Sequence, residues 1–412
     1  MNKFNIAIIG ATGVVGRTLI DILDKKNFPI NSLYLLASEK SSGTILRFNN
    51  KEYIVETLNN FNFNLVDIIF GCAGSEVTKS ILPKLQNTKA ILIDEASFLR
   101  KREDIPLIVP EINSHLINNY KINNIIASPN CCAVPIAILL NDLLKFLQIK
   151  RVFIATYQSY SGAGKAAVDN FVQETKNALE SNNFNQIYNL QNLNSNIDSS
   201  NPNFNSNINS FDTNNITSDN LQKNNLNYNM HHNFINNNSQ VNININLEHN
   251  ANNFNLNKTS FNIIPKIGEI NILNKTISNN NTFLNYTEEE EKIILEVQKL
   301  LNKNINISVT SVRVPVLIGH SFACNIEFED EITDHILNNI KLYFNNETNH
   351  VKYNENILSP KEIMGTDFIY ISRIRKSPFD AKVLDIWCMC DNLRKGAALN
   401  LAQIAENLIK LI

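Results

Sequence analysis

The chain opens on an apolar run, Phe4–Ile9 (FNIAII), that gives way to Gly10, Gly13 and Gly16. A segment from Thr18 to Asp24 follows, with apolar positions at helical spacing. That order predicts strand, tight turn and helix. Further short apolar runs predict strands at residues 33–37, 66–70, 90–93, 107–110 and 125–127. Helical stretches between them imply crossover connections, and hence a parallel, doubly wound sheet. Beyond it the pattern predicts an apolar helix over residues 133–147 (AVPIAILLNDLLKFL), a strand over 152–157 and a helix over 164–180. The periodicity then stops. It resumes near Phe261, with a charged helix from Thr287 (TEEEEKIILEVQKLL), strands over SVTSVRVPV and ACNIEFE, and a helix over 331–342. The end reads as a strand (LDIWCMC), a turn, and a helix carrying Leu399, Ile404, Leu408 and Ile409 on its apolar side. No repeat of solenoid period is present.

Composition explains the gap. From residue 182 to 258 about four residues in ten are Asn, charges are few, and stretches such as VNININLEH alternate like a strand. Such a tract builds no packed core by itself and is placed best as a surface excursion. Setting its 77 residues aside leaves 335 of 412, the length of two domains. It also accounts for a charged fraction of only 18%.

Charge and cysteine usage narrow the class. Lys+Arg is 37 against Asp+Glu 39, a net charge of −2 that argues against a nucleic-acid binder. No run reaches the roughly 18 apolar residues of a membrane span, and no secretory signal is visible. The six cysteines are scattered, unlike a disulfide framework, and Cys388 and Cys390 are two apart on one strand. The expectation is a soluble chain in a reducing cytoplasm, with no metal.

The turn Gly10-Ala-Thr12-Gly13-Val14-Val15-Gly16 follows a strand and opens a helix. Its glycines allow a pyrophosphate to approach the backbone, and the helix start offers free N–H groups and a positive dipole end. The spacing is GxxGxxG, a variant of GxGxxG. After the second strand, Ser38, Lys40 and Ser41 favour a 2′-phosphate and therefore NADP, while Glu39 keeps NAD open.

Ser-Pro-Asn130-Cys131-Cys132 lies between a strand and the apolar helix. A thiolate at a helix start is stabilised and can attack a carbonyl to form a covalent intermediate. A cysteine there would otherwise pack as a small hydrophobe. The segment Tyr157-Gln158-Ser-Tyr-Ser-Gly162-Ala-Gly164 adds a carboxamide and a glycine turn. Arg313-Val-Pro-Val-Leu-Ile-Gly-His320 adds a carboxylate-binding guanidinium and an imidazole able to move a proton.

The set GATGVVG, ASPNC, TYQSYSGAG, RVPVLIGHS and DNLRKGAALN, in this order, resembles aspartate-β-semialdehyde dehydrogenase across residues 1–180 and 260–412. The resemblance implies a Rossmann-type parallel sheet plus an α+β catalytic and dimerisation domain. The boundaries expected are 1–130 with 391–412 for the first and 131–390 for the second, which the 182–258 insertion interrupts. It implies Cys131 as the acylated nucleophile, Gln158 as the group that orients the acyl intermediate, and His320 as general acid/base. Arg313 is then the ligand of the α-carboxylate and Arg100 of phosphate. Asn130, just before the nucleophile, joins the substrate-binding set, and Glu289 and Lys292, three apart on one helix face, meet the substrate amine and phosphate. Gly162 and Asn392 join the cofactor set, with Asn392 against the nicotinamide. The implied reaction is NADPH-dependent reduction of aspartyl phosphate to aspartate semialdehyde, which feeds lysine, threonine and methionine synthesis, by a homodimer or homotetramer. Four departures stand out: IDEAS for a DNTS-like segment, SYS in the Gln loop, Cys132 where Ser or Thr is usual, and Glu39. N-acetyl-γ-glutamyl-phosphate reductase, and a nucleotide-binding scaffold without catalysis, are the competing readings.

Overall fold

In the computed structural model, the N-terminal runs form β1 (Phe4–Ile9), β2 (Ile30–Ala37), the hairpin β3 (Ile45–Phe48) and β4 (Lys51–Ile54), β5 (Glu56–Thr57), β6 (Ile68–Gly71), β7 (Ile91–Asp94) and β8 (Ile125–Ala127). The structure describes residues 2–180, 262–271 and 283–412. The expected Asn-rich excursion at 182–258 lies outside the described residues.

Apart from the hairpin, these strands form one sheet in the order β5-β2-β1-β6-β7-β8, parallel at every pairing. The first crossover helix is α1 (Val14–Lys25), which buries Leu19, Ile20, Ile22 and Leu23 on the face its sequence spacing marked. Then come α2 (Ser75–Leu85), the single turns α3 (Ser97–Arg100) and α4 (Pro110–Asn113), and α5 (Ala133–Leu143), apolar and buried nearly all round.

The second sheet takes β9 (Ile149–Gln158), β10 (Asn306–Arg313), β11 (His320–Phe328), β12 (Val351–Tyr353), β13 (Ile369–Lys376) and β14 (Val383–Cys390). Its order is β10-β9-β11-β14-β13-β12, with both parallel and antiparallel pairs. Helix α6 (Lys165–Glu180) follows β9, α7 (Glu288–Leu301) precedes β10, and α8 (Asp334–Phe344) follows β11. A turn of helix, α9 (Pro360–Ile363), precedes β13, and α10 (Leu399–Leu408) ends the chain. Leu401, Ile404 and Leu408 of α10 share a buried cluster with Leu19 and Leu23 of α1, so the C-terminus returns to the first sheet.

By contact the chain separates into two units, residues 1–168 with 263–412, and residues 169–262. Both sheets belong to the first. Of the second, the structure describes residues 169–180, most of α6, and residue 262. Among the described residues no helix is long and apolar enough to cross a membrane.

Three expectations need correction. Residues 107–110 form no strand: Leu107 makes a single bridge to Ala127, and Pro110 starts α4. Proline has no N–H for a ladder, and its fixed φ suits the first helical position. The strand expected through Val316 stops at Arg313, two residues before Pro315, because the residue before a proline and the proline itself break regular pairing. The helix expected over 133–147 ends at Leu143.

Candidate active site

Four strand ends meet at one place. The carboxyl ends of the parallel pair β9 and β10 put Gln158 beside Arg313, and β11, antiparallel to β9, begins there with His320. The end of β8 leads through Ser128 and Pro129 into the turn Asn130-Cys131-Cys132. The Asn130 carboxamide oxygen accepts from the backbone N–H of Cys132 (2.8 Å) and Ala133 (3.4 Å), which caps the start of α5. This fixes Cys131 at a helix N-terminus with its sulfur outward. At Gly396, in a π-helical turn before α10, a Cβ would lie 2.9 Å from the Cys131 carbonyl oxygen, so a larger residue there would push on the nucleophile.

Cys131 Sγ lies 3.3 Å from His320 Nε2. The imidazole is fully buried, and its far nitrogen, Nδ1, accepts from the backbone N–H of Ser159 at 3.1 Å and faces the Ser159 hydroxyl at 3.2 Å. With Nδ1 the acceptor, the proton of the neutral ring sits on Nε2, toward the sulfur. The Ser159 hydroxyl passes its own hydrogen to Asn392 Oδ1 (3.0 Å), which also accepts from the Gly319 N–H at 2.9 Å. A hydrogen bond with the Cys132 thiol, contact with His320 and the positive charge of Arg100 hold the Cys131 thiol well below the ordinary range in spite of its burial. Burial pushes Cys132 the other way, and Cys324 up to about 12. One thiol of the set is therefore activated.

The groups expected to meet substrate lie on α7 and at the ends of β9 and β10. Asn130 Nδ2 (3.0 Å) and Gln158 Nε2 (3.3 Å) both donate to Glu289 Oε1. The four consecutive glutamates at the start of α7 thereby separate. Glu288 is exposed, and Glu290 closes a capping box with Thr287 and accepts from the Ser311 N–H. Glu291 pairs with Lys101, and Glu289 alone turns to the nucleophile turn. Lys292 is on the same helix with its ammonium 3.8 Å from Glu288. Arg313 is buried, donates to the Ser159 carbonyl at 2.6 Å and lies over the Tyr160 ring. A Cβ on Gly162 would come within 3.0 Å of the His320 ring and 3.5 Å of Arg313 Nη1, so that position closes on the imidazole.

Arg100, at the end of α3, is buried between Glu296 (Nη1 to Oε1, 3.1 Å) and the Glu95 carbonyl, which accepts from Nη2. Among the described residues its Nε–H has no hydrogen-bond partner. Burial pushes the Glu95 carboxyl up to about 8, against the pull of Arg100. The sequence assigns no role to Glu296, nor to Ser159 and Gly396, which stand only inside the SYS and DNLRKGAALN segments; Glu296 has a readable signal, two turns from Glu289 on one helix face.

The dinucleotide turn has the shape a cofactor requires. Gly10 has φ +81°, and a Cβ on Gly16 would lie 2.3 Å from the Gly10 carbonyl oxygen. The cap of α1 is Gly13, with no side-chain bond to the first N–H groups, so Thr12, Val14 and Val15 frame open donors. Ser38, Lys40 and Ser41 follow β2 in a turn of 3₁₀-helix, and Glu39 in that turn accepts from Asn59 Nδ2 at 2.9 Å.

Comparison with known proteins agrees with this arrangement. Family models described as semialdehyde dehydrogenase, NAD binding domain, and semialdehyde dehydrogenase, dimerisation domain, match residues 5–120 and 140–395. The chain is 37% identical to an aspartate-semialdehyde dehydrogenase of Rickettsia bellii, over 99% of this chain and 98% of the relative. It is 31% identical to one from Aquifex aeolicus, over the same shares. Among solved structures, aspartate semialdehyde dehydrogenase II from Vibrio cholerae, complexed with ASA, is similar with a TM-score of 0.74 at 28% identity, covering 100% of this chain and 99% of that one.

Proposed function

The chain belongs to the semialdehyde dehydrogenase family, and from that premise we propose that it reduces L-aspartyl 4-phosphate to L-aspartate 4-semialdehyde through a thioester on Cys131, with NADPH as reductant. The observation that carries the chemistry is the pairing of an activated Cys131 sulfur with His320 Nε2 at 3.3 Å, inside a ring of groups suited to an amino-acid substrate.

In this reading Arg313 binds the α-carboxylate and Glu289 the α-ammonium, which sets the side-chain carbonyl over Cys131. The Cys131 thiolate attacks that carbonyl carbon and the C–O bond to phosphate breaks. Arg100, through its unpartnered Nε–H, and Lys292 receive the departing phosphate. Gln158 orients the acyl oxygen. The Gly10–Gly16 turn would hold the pyrophosphate of the dinucleotide, with Gly162 and Asn392 toward the nicotinamide, and the bound cofactor would supply the hydride that takes the thioester to the aldehyde level. His320 exchanges the proton at the reacting oxygen as the C–S bond breaks and the sulfur recovers its electron pair. Ser38, Lys40 and Ser41 contact the 2′-phosphate of NADP.

The decisive assay runs the full chain in the oxidative direction, with phosphate and NADP, on L-aspartate 4-semialdehyde and on N-acetyl-L-glutamate 5-semialdehyde. The first is expected to react faster, and NADP to outperform NAD. A preference for the acetylated aldehyde would make the chain an N-acetyl-γ-glutamyl-phosphate reductase instead, and inertness toward both would leave the scaffold reading.

We further propose that two copies pair through the open face of the second sheet. From Val152 onward the even-numbered side chains of β9 are buried, whereas Phe153 is 41% exposed and Ala155 and Tyr157 are half-buried on the other face. Tyr157 meets Trp387 of β14 there, with ring centroids 5.4 Å apart. A face of this mixed sheet that carries aromatic and small residues fits a second copy of itself. Sedimentation should find the wild-type chain at twice its mass or more and Trp387→Asp at a lower mass; an unchanged mass in the variant would remove this face from the interface.

A further inference from the structure

We infer that Glu296 is a positioning residue that aims Arg100 at phosphate and ties that guanidinium to the nucleophile turn. The inference rests on the assignment of Arg100 to phosphate and adds the residue through which that assignment works.

Glu296 lies in the middle of α7 and is 5% exposed. Its two carboxylate oxygens do different things. Oε1 accepts from Arg100 Nη1 at 3.1 Å, and Oε2 accepts from the backbone N–H of Asn130 at 2.6 Å. Asn130 in turn caps α5 and flanks Cys131, so one carboxylate spans the gap between the phosphate ligand and the turn that carries the sulfur. The same helix also grips the Arg100 backbone: Lys299 donates to the carbonyls of Arg100 (3.0 Å) and Arg102 (2.8 Å).

The consequence for Arg100 is geometric. With Nη1 on Glu296 and Nη2 on the Glu95 carbonyl, the planar fork has no rotational freedom left. Its Nε–H is then presented in one orientation and, among the described residues, without a hydrogen-bond partner. A buried guanidinium with no fixed carboxylate would turn to whatever acceptor it could reach, and phosphate would have to reorient it at each turnover. Among the described residues Glu296 is the one carboxylate bonded to Arg100. Glu289 and Glu296 therefore divide the work of one helix face: the first meets the carboxamides of Asn130 and Gln158, the second meets the cation and the backbone behind them.

The test is a cycle of Glu296→Gln, Arg100→Ala and the double variant, with separate KM values for phosphate, aldehyde and NADP. Glutamine keeps an acceptor for the Asn130 N–H but loses the charge that fixes Arg100. Glu296→Gln should raise the phosphate KM about tenfold or more while the other two KM values stay within about threefold. The burst of reduced cofactor formed without phosphate should persist, because acylation of Cys131 does not need Arg100. On the Arg100→Ala background the same change should have little further effect on the phosphate KM. An equal effect in both backgrounds, an unchanged phosphate KM, or a uniform loss across all substrates would each overturn the role of Glu296. A wild-type phosphate KM in Arg100→Ala would show instead that Arg100 is not the phosphate ligand, which is a separate failure. If Glu296→Gln does not fold, Glu296→Asp keeps the charge but is too short to span both partners, and the same selective rise is expected of it.

Discussion

Cys131→Ala is expected to remove phosphate-dependent dehydrogenation altogether while leaving dinucleotide binding intact, a loss of roughly a million-fold, as when a covalent nucleophile is deleted. The proposed reaction runs through a covalent bond to that sulfur, formed at acylation and broken when the aldehyde leaves. The neighbouring Cys132 is no substitute: it is fully buried at the cap of α5, and burial pushes its thiol up. Cofactor binding should survive, because the Gly10–Gly16 turn lies between β1 and α1 and is shaped by the backbones of Leu36 and Cys72, not by Cys131. Dialysis against NADP gives the binding and a stopped-flow trace gives the turnover. The direction of the thiol shift adds a second reading. The group is held below the ordinary thiol range, so its thiolate persists as pH falls toward neutrality, where ordinary thiols are protonated. Iodoacetamide should therefore modify Cys131 selectively at neutral pH and inactivate the wild type. Turnover in Cys131→Ala within about a hundredfold of wild type would place the nucleophile elsewhere.

The parts of this site that were legible in the sequence are those whose chemistry requires a residue type in a local pattern. A strand, three glycines and an amphipathic run are sufficient for the dinucleotide turn, since all its constraints lie within 16 residues. Cys131, Gln158, Arg313 and His320 could be chosen because each sits in a short motif. What the sequence concealed is what three-dimensional packing decides. Among the glutamates at 288–291 no local rule says which faces inward; the capping box at Glu290 settles it, which turns Glu289 to the site and Glu291 to Lys101. Glu296 is an acidic residue in an amphipathic helix until β7 and α3 bring Arg100 against it. Ser159 looked like a polar departure in the Gln loop, and it proves to hold the back of the imidazole. The hairpin β3–β4 and the strands β12 and β13 were passed over because they are short or irregular. Arg373 in β13 adopts φ +52°, and pairing with β14 shifts register there, which erases the alternation a reader relies on.

His320→Asn should lower kcat by about 10² to 10⁴-fold, the usual contribution of a positioned proton-transfer group. The ring is held from behind at Nδ1 by the Ser159 N–H and hydroxyl, and that hydroxyl is committed to Asn392, in a network with no exposed member. Proton traffic through Nδ1 is therefore closed, and the imidazole works through Nε2, which faces Cys131 at 3.3 Å. Asparagine fills part of the space and keeps a polar group beside Gly162, so KM for phosphate and binding of NADP on the Gly10–Gly16 turn should change little. The substitution also removes one of the groups that hold the Cys131 thiol down, and the pH at which alkylation reaches half its limiting rate should rise. The two effects are separable. A fall in kcat with an unmoved alkylation profile would confine His320 to the substrate oxygen. A raised profile with kcat within about threefold of wild type at high pH, where the thiolate is restored, would reduce His320 to a partner of the sulfur and remove it from proton transfer. The geometry, with one Nε2 proton beside both the sulfur and the place the carbonyl oxygen must occupy, predicts that both move together.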